Sequence, residues 1–385
     1  MTRSLPLLAA LASALVATET PFQAHAHEID ATGRAVPSSL IREISSARTL
    51  KCGPPPQPGS LAAGVFFGDA IDGPAGMQQA LARHEQRYGA RPPMVKTFAS
   101  LEDDFSEDGR AGQLLRALRA ASGVTPLVSL EPTWHGSPQT GLLEFLASGQ
   151  ADGRIARVAH ALAALGEPPV LIELAAEMNA RFGAPWQADQ NGGEVGPGAY
   201  VRAWRHVADV VRAEGAHNVR WVFAPSAGNP YTHLPTGPAH WAWYGHWYPG
   251  DSYVDYLGLH AFNDARQQGA WVPFVELVTG DAADRMLGDM IARFPARRII
   301  LGELASSEHP GRPGAKARWI EDAYRRMQRC GAIAGAIWFD MDKESDWQLA
   351  SSQESARAYR ASVGEITGPS WQPASDSPAE AGPKE

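Results

Sequence analysis

The chain has 385 residues, of which 44% are hydrophobic and 20% are charged, a composition typical of an ordinary globular protein. Its formal net charge of -8 argues against nucleic acid or an anionic membrane surface as a partner, because both repel an acidic protein. A neutral polysaccharide is compatible with this charge. The 12 Trp side chains also offer flat apolar faces that can stack on sugar rings.

The first 26 residues have the pattern of a cleaved signal peptide. Arg3 gives a positive start, and the apolar run from Leu5 to Ala17 is too short to cross a bilayer comfortably. Ala24 and Ala26 then fit the small residues of a cleavage site. We therefore expect an exported protein, periplasmic or secreted, with no membrane-spanning helix.

From residue 61 to residue 365, eight short apolar runs alternate with amphipathic helical patterns. Continuous apolar runs are typical of parallel strands that are covered on both faces. Eight such units in one domain favour an α/β protein with a single (β/α)8 TIM barrel. The predicted strands are Ala62–Phe67, Met94–Phe98, Thr125–Leu130, Val170–Leu174, Val219–Ala224, Tyr256–His260, Arg298–Gly302 and Ala332–Phe339.

A doubly wound open sheet is the alternative fold, but the Gly-rich phosphate loop that usually follows its first strand is absent. Residues 27–60 form an N-terminal extension before the barrel. Residues 366–385 are rich in Pro, Ser, Ala and Glu, which predicts a disordered C-terminal tail. We expect a monomer.

Two glutamates follow or end strands on opposite sides of the predicted barrel. Glu177 comes just after the fourth strand and Glu303 just after the seventh. Catalytic groups in this fold lie at the carboxyl ends of the strands, and glycosidic hydrolysis requires a pair of carboxylates. The alternative is that each glutamate is part of a structural ion pair.

Other polar and aromatic residues near strand ends are candidate sugar-binding groups. Trp134 and His135 follow the third strand, and His260 and Asn263 lie at the sixth. The long segment after the fifth strand carries several aromatic residues, which either stack on sugars or anchor the loop. The candidates from this segment are Trp247 and Tyr248.

The chain has only two cysteines, which is too few for a metal cluster. Cys52 precedes the first strand and Cys330 precedes the eighth, and these strands are neighbours in a closed barrel. We therefore predict a disulfide between them at the bottom face. His240 and His246 lack a convincing third ligand, so the sequence predicts no metal and no cofactor.

Around these residues the chain resembles glycoside hydrolase family 26, whose members are chiefly β-mannanases, with some β-glucanases and β-xylanases. The matching segments run in the family's order over about residues 60–350, and the most specific is Tyr-Pro-Gly-Asp-x-Tyr-Val-Asp-Tyr-x-Gly at residues 248–258. The others are residues 177–179 with Trp186, residues 221–225, residues 302–303, and residues 338–339 with residues 344–347.

The resemblance implies that Glu177 is the acid/base and Glu303 the nucleophile of a retaining mechanism. It also implies that Trp338 forms an apolar floor under the sugar at the cleavage point, and that Trp186 lines the neighbouring position. Trp347 belongs to the last matching segment and is a further candidate for sugar binding.

The sequence departs from the family beside the reacting sugar. The family usually has His just before the acid/base and Arg a few residues earlier, where this chain has Ala176 and Glu173. It also often has Tyr after the sixth strand, where Phe262 stands, and His260 or Asn263 could supply the missing donor.

The function that follows is hydrolysis of a β-linked polysaccharide, most like that of an endo-β-1,4-mannanase. One alternative is a β-glucanase, a β-xylanase or a hydrolase of an exported bacterial polysaccharide. Another is a catalytically impaired, carbohydrate-binding accessory protein. A metal-dependent deacetylase or esterase is not supported, because the sequence contains neither GxSxG nor HExxH.

Overall fold

A computed structural model describes residues 52, 61–68, 71, 73–192, 196–227, 240–264, 271–279 and 286–366. The signal peptide lies outside the described residues, as does the extension apart from Cys52 and the tail apart from Ile366.

Eight parallel strands form a closed barrel in which each strand pairs with the next along the chain. β1 and β8 close it through five paired positions, from Ala62 opposite Gly335 to Phe66 opposite Phe339. The barrel prediction is therefore confirmed, and the open sheet is excluded. The strands are β1 (Ala62–Phe66), β2 (Met94–Ser100), β3 (Thr125–Glu131), β4 (Val170–Leu174), β5 (Val219–Phe223), β6 (Tyr256–Asn263), β7 (Arg298–Ser306) and β8 (Ile333–Phe339).

Amphipathic helices cover the outside of the barrel. Along one of them, Tyr200, Trp204, Val207 and Val211 are all buried, as their helical spacing predicts. Within the described residues, no helix is both long and apolar enough to cross a membrane. The helices are α1 (Gly73–Tyr88), α2 (Arg110–Ala120), α3 (Leu142–Ala147), α4 (Asp152–Ala163), α5 (Gly196–Ala213), α6 (Phe274–Thr279), α7 (Met286–Arg293), α8 (Ala315–Gln328) and α9 (Gln353–Gly364).

β6 and β7 are longer than their apolar runs predicted, because they continue through polar residues that remain paired. The register between them shifts between Gly258 and His260, and beyond this irregularity His260 lies opposite Glu303. Bulges of this kind change the direction in which a side chain points and are common beside functional sites. His260 and Glu303 thus lie within paired strands, not in loops.

The predicted disulfide is present at the bottom of the barrel, where Cys52 is bonded to Cys330. Cys330 is fully buried just before β8, and the bond joins the segment that precedes β1 to the end of α8. The cross-link lies at the opposite end of the strands from the two glutamates, so it acts on the scaffold and not on the site.

Candidate active site

Glu177 lies on a tight turn after β4 in which the backbone is strained. Ala175 and Glu177 have φ values of 49° and 57°, and they are the only non-glycine residues with positive φ in the described part of the chain. A residue with a Cβ pays about 1–2 kcal/mol for this conformation. Such strain persists only where the surrounding structure imposes it, and it often marks a functional site.

Hydrogen bonds from three directions hold this turn. The Glu177 N–H donates to the carbonyl of Ala224 on the β5 side at 2.8 Å. The Trp186 Nε1–H donates to the carbonyl of Ala176 at 2.8 Å, and the Gln187 side-chain amide donates to the carbonyl of Glu177 at 3.1 Å. The turn therefore fixes the direction of the Glu177 side chain from the backbone.

Glu303 faces Glu177 from the middle of β7. Their side chains are 22% and 9% exposed, so both reach the barrel mouth, with Glu303 the more enclosed. An oxygen of one carboxylate lies within 4.8 Å of an oxygen of the other. The structure thus brings together the two glutamates that the sequence selected from opposite sides of the barrel.

Lys96 and Glu173 form a buried ion pair below this site. The Lys96 ammonium lies 2.6 Å from Oε2 of Glu173 and 2.8 Å from Oε1 of Glu303, and the Lys96 and Glu173 side chains are both 0% exposed. Burial alone would lower the pKa of Lys96, but the charges of Glu173 and Glu303 outweigh it and raise the pKa. Lys96 is therefore cationic in the folded protein.

Glu173 is likewise held in its ionised form. Burial opposes ionisation of this carboxyl, but Lys96 and then His260 overcome that effect and lower its pKa to about 2. Gly302 makes room for it, because a Cβ at this position would lie 1.9 Å from Oε1 of Glu173. The glycine that precedes Glu303 is thus required by the carboxylate packed against it.

His260 joins all three carboxylates. Its Nδ1 lies 3.3 Å from Oε1 of Glu177 and 3.7 Å from Oε2 of Glu303, and its Nε2 lies 3.4 Å from Oε2 of Glu173. Burial and the nearby Lys96 disfavour a charged imidazole, but Glu303 and Glu173 outweigh them and raise the pKa to about 9. At neutral pH both ring nitrogens therefore carry protons that face carboxylates.

Glu177, His260 and Glu303 are also residue types that can ligate a metal ion, with one possible ligand atom from each within 4.8 Å of the others. Two features of the site work against this use. Ligation needs a neutral imidazole, whereas His260 is held protonated. The Lys96 ammonium already lies against Glu303 and would repel a cation.

Three of the predicted sugar-binding tryptophans are enclosed in the protein. Trp338 is 0% exposed and packs against Trp319 of α8, in the layer between barrel and helices. This position rules out the floor predicted for Trp338, because the ring presents no surface to the mouth. Trp347 and Trp247 are also fully buried. The backbone carbonyl of Trp347 accepts a hydrogen bond from the Trp338 indole N–H. The indole N–H of Trp247 donates to the carbonyl of Trp241 and so anchors the loop after β5.

The other aromatic candidates differ in their exposure. Trp186 is 9% exposed and supports the turn of Glu177. Tyr248 is half-buried against Phe294, and its hydroxyl donates to Asp251, which favours an anchoring role. Trp134 is half-buried and His135 is exposed, so both remain accessible to a ligand.

Asn263 and His260 were both candidates to replace the Tyr that the family often has after the sixth strand. Only His260 approaches the glutamates. The Asn263 amide is fully buried and committed to Ser306 and to the N–H of Val272, so it ties β6 to its neighbours. Phe262 packs against Phe339 and Trp347 and donates no hydrogen bond from its ring.

An aromatic group that sequence reasoning missed lies at the carboxyl ends of β1, β2 and β8. Phe66 packs against Phe98 and Phe339 with ring centroids 5.0 Å and 4.9 Å apart. Phe98 is 39% exposed, which is unusual for so large an apolar side chain. Its place beside Lys96, whose ammonium lies 5.1 Å from its ring centroid, makes it a candidate contact for a sugar.

Comparison with known proteins agrees with this geometry. A family model described as glycosyl hydrolase family 26 matches residues 147–324, which include both Glu177 and Glu303. Endoglucanase H of Acetivibrio thermocellus is 32% identical over 297 residues, covering 74% of this chain and 29% of the relative. The chain therefore spans less than a third of the length of that relative.

Solved structures of the same fold include two mannanases. The catalytic domain of a GH26 endo-β-1,4-mannanase from Bacillus sp. JAMB-750 is 15% identical with a TM-score of 0.57, covering 80% of this chain and 86% of that one. A GH26 β-mannanase from Bacteroides ovatus is 17% identical with a TM-score of 0.54, covering 80% and 87%. At these identities the likeness shows the fold.

A closed (β/α)8 barrel that brings two glutamates together from β4 and β7 defines the class of barrel glycoside hydrolases. Within this class, the family model covers both glutamates and the strands that carry them. Residues 147–324 of the chain belong to glycosyl hydrolase family 26.

Proposed function

We propose that the protein is a retaining glycosidase that cleaves a β-linked polysaccharide, with Glu303 as the nucleophile and Glu177 as the acid/base. The observation that carries this proposal is the approach of the two carboxylates to within 4.8 Å. Carboxyl groups about 5–5.5 Å apart support direct attack by one of them, whereas inversion needs about 6.5–9.5 Å to admit a water.

The charges around the pair support the division of roles. Lys96 and His260 contribute two positive charges and Glu173 one negative charge, so one further carboxylate makes the cluster neutral. Glu303 lies 2.8 Å from the Lys96 ammonium, while Glu177 contacts only His260 of these cations and is more exposed. This difference in charged contacts supports Glu303 as the nucleophile and Glu177 as the acid/base.

The mechanism follows from these two roles. The Glu303 carboxylate attacks the anomeric carbon while Glu177 gives its proton to the leaving oxygen, and a glycosyl ester forms. Glu177, now ionised, takes a proton from water, and the water oxygen displaces Glu303 from the anomeric carbon. Two inversions restore the β configuration.

Mannan is the first substrate to test, since the mannanases above share the fold. A β-glucan is the second, because Endoglucanase H is the relative with the higher identity, although that name belongs to a much longer protein. Ala176 and Phe262 also replace polar groups that the family usually has beside the sugar. The non-catalytic alternative is less favoured, because both carboxylates and their cations are in place.

The test is hydrolysis by the purified protein of β-mannan, mixed-linkage β-glucan, 1,3-xylan and exported bacterial polysaccharides, with the first-formed anomer identified by proton NMR. We expect the β-anomer to appear first on at least one substrate. An α-anomer formed first, or binding to these polysaccharides without hydrolysis, would contradict the proposal.

We also propose that the protein is exported. The N-terminal pattern supports this, as does the Cys52–Cys330 disulfide, because disulfides persist in oxidising compartments. Expression of the full chain with its leader, followed by mass measurement of the exported product, tests the proposal. We expect a mature chain that begins after Ala26, and an uncleaved protein retained in the cytoplasm would contradict it.

A further inference from the structure

Lys96 is a charged residue inside the barrel whose role no sequence pattern indicated. It lies in the middle of β2, between Val95 and Thr97, and its side chain is 0% exposed. Transfer of an isolated ammonium to such a site is very costly unless it is paired. Its Nζ approaches Glu173, Glu303 and, at 3.3 Å, the carbonyl of Gly302. The same atom lies 3.4 Å from Nε2 of His260.

Glu173 remains the counter-ion of Lys96 whether or not a substrate is bound. It is 0% exposed, so no ligand at the mouth reaches it, and its Oε2 lies 2.6 Å from the Lys96 ammonium. The close packing of Gly302 against its carboxylate restricts its position. Lys96 therefore keeps one anionic partner throughout a reaction cycle in which Glu303 gains and loses charge.

The two oxygens of Glu303 are not equivalent. Oε1 lies 2.8 Å from the Lys96 ammonium, within hydrogen-bond distance. Oε2 lies 3.7 Å from His260 Nδ1, beyond hydrogen-bond distance. One oxygen is anchored below the site, and the other is left without a close partner among these groups.

From this geometry, and resting on the glycosidase function proposed above, we infer that Lys96 is a positioning residue that anchors Oε1 of Glu303 and leaves Oε2 as the attacking oxygen. Glu173 holds the ammonium in place and balances its charge. The cation is shared between the two carboxylates, so it orients Glu303 without being left unpaired when the ester forms.

Each covalent step forms one bond to the anomeric carbon as another breaks. Oε2 forms a bond to the anomeric carbon while the bond from that carbon to the leaving oxygen breaks, and the leaving oxygen takes the proton of Glu177. In the second step water attacks the same carbon and gives a proton to Glu177. The electron pair of the carbon–Oε2 bond then returns to Glu303, and the adjacent ammonium stabilises the carboxylate as it re-forms.

The experiment is the pH dependence of kcat/KM for the full chain and its variants, on an activated aryl β-glycoside of the sugar that the wild-type protein hydrolyses. The acidic limb of this profile reports ionisation of the nucleophile in the free enzyme. Lys96→Met removes the cation, and we expect the limb to move to higher pH by about 1–3 units.

Glu173→Gln gives a prediction of the opposite sign. The amide keeps the size of the side chain but removes the negative charge that competes with Glu303 for the ammonium. We therefore expect the acidic limb to move to lower pH. A role for Lys96 and Glu173 in packing alone predicts a loss of stability in both variants and no such opposed shifts.

Lys316 provides a matched control, since its side chain is also fully buried. Its ammonium donates to the carbonyl of Gln348 and the hydroxyl of Ser351, away from the two glutamates. Lys316→Met should reduce stability while the acidic limb stays where the wild type has it. The inference is overturned if Lys96→Met leaves the limb unmoved, or if Lys96→Met and Glu173→Gln move it in the same direction.

Two further measurements test the inference if Lys96→Met does not fold or if no substrate is found. If Lys96→Met does not fold, the Glu173→Gln profile decides alone, and a limb that is unmoved or at higher pH overturns the inference. Carbon-13 NMR titration of the Glu303 carboxyl, assigned with Glu303→Gln, needs no substrate. Opposed shifts in that titration support the role of Lys96 even if no glycan is hydrolysed, an outcome that would overturn only the proposed function.

Discussion

The two glutamates of this barrel are positioned by different means. Glu177 lies on a turn whose direction is set by backbone strain and by hydrogen bonds to main-chain groups. Glu303 lies within a paired strand, next to register irregularities on both sides, and charged side chains hold its carboxylate. The more exposed group is thus placed by the backbone, and the more enclosed one by electrostatics.

This difference suits the two proposed roles. An acid/base must exchange protons with the leaving group and with water, so partial exposure and few charged partners are useful. A nucleophile must stay ionised and reach one atom, so a cation at one oxygen is useful. The two regions should therefore respond differently to substitution.

The largest effects should come from the carboxylates themselves. Glu303→Gln removes the nucleophile, and we expect kcat to fall by about 10⁴-fold or more on any substrate. Glu177→Gln should cost about 10²–10⁴-fold on polysaccharide, since that leaving group needs a proton.

An aryl glycoside with a good leaving group separates the two. With it, Glu177→Gln should form the glycosyl-enzyme rapidly and release it slowly, which gives a burst of product. Glu303→Gln should give no burst. A burst in Glu303→Gln, or equal losses of both variants on both substrates, would remove the distinction between the two roles.

Gly302→Ala should come next, because it disturbs the electrostatic region. The added Cβ would lie 1.9 Å from Oε1 of Glu173 and 2.9 Å from Nε2 of His260. We expect a loss of about 1–3 kcal/mol in the free energy of unfolding, measured by denaturant titration, together with a lower kcat. Gly288→Ala is the control, since its Cβ meets nothing within 4 Å. Equal stability of the two variants would contradict the packing described here.

Trp186→Phe should have a smaller effect, confined to the backbone-positioned region. It keeps an aromatic ring but removes the hydrogen bond to the Ala176 carbonyl. We expect a loss of about 0.5–1.5 kcal/mol in stability and a lower kcat, with the acidic limb of the pH profile unchanged. A shift of that limb as large as the one expected for Lys96→Met would mean that the two regions are not separate.

A further effect should be a pH dependence of stability from His260. Its pKa is raised from 6.5 to about 9 by Glu303 and Glu173 against burial and Lys96, and Glu177 also faces the ring. The resulting stability is fully present below pH 6.5 and is lost as pH rises through about 9. We therefore expect the Tm of the wild type to fall more steeply than that of His260→Gln between these values.

His84 offers a control of opposite sign. Burial lowers its pKa to about 4, so its contribution is present above pH 6.5 and is lost as pH falls through about 4. His84→Gln should therefore alter the pH dependence of Tm on the acidic side only. If His260→Gln follows the wild-type dependence from pH 6.5 to 9, the imidazole is not held protonated by the carboxylates.

Much of the scaffold was predictable, because parallel strands in a barrel are continuous apolar runs and the periodicity of each helix is local. The positions of Glu177 and Glu303 followed from the fold together with the family motifs. Lys96 was not found, since a lysine within an apolar strand has meaning only once barrel closure brings β2 close to β4 and β7. The polar residue within that run was the available signal.

The prediction of an apolar floor at Trp338 failed for a related reason. Trp338 and Phe339 are adjacent at the end of β8, but neighbouring residues on a strand point to opposite faces. Phe339 packs against Phe66 and Phe262, whereas Trp338 packs among the helices. A motif that ends in two aromatic residues does not reveal which one faces the site.

The most direct test of the paired-carboxylate mechanism is to trap the intermediate. A fluorinated activated glycoside of the sugar that the protein hydrolyses slows release of the glycosyl-enzyme, and peptide mass mapping then locates the label. We expect one fluoroglycosyl group per chain, attached to Glu303 in wild type and absent from Glu303→Gln. A label on any other residue would contradict the assignment of Glu303 as the nucleophile.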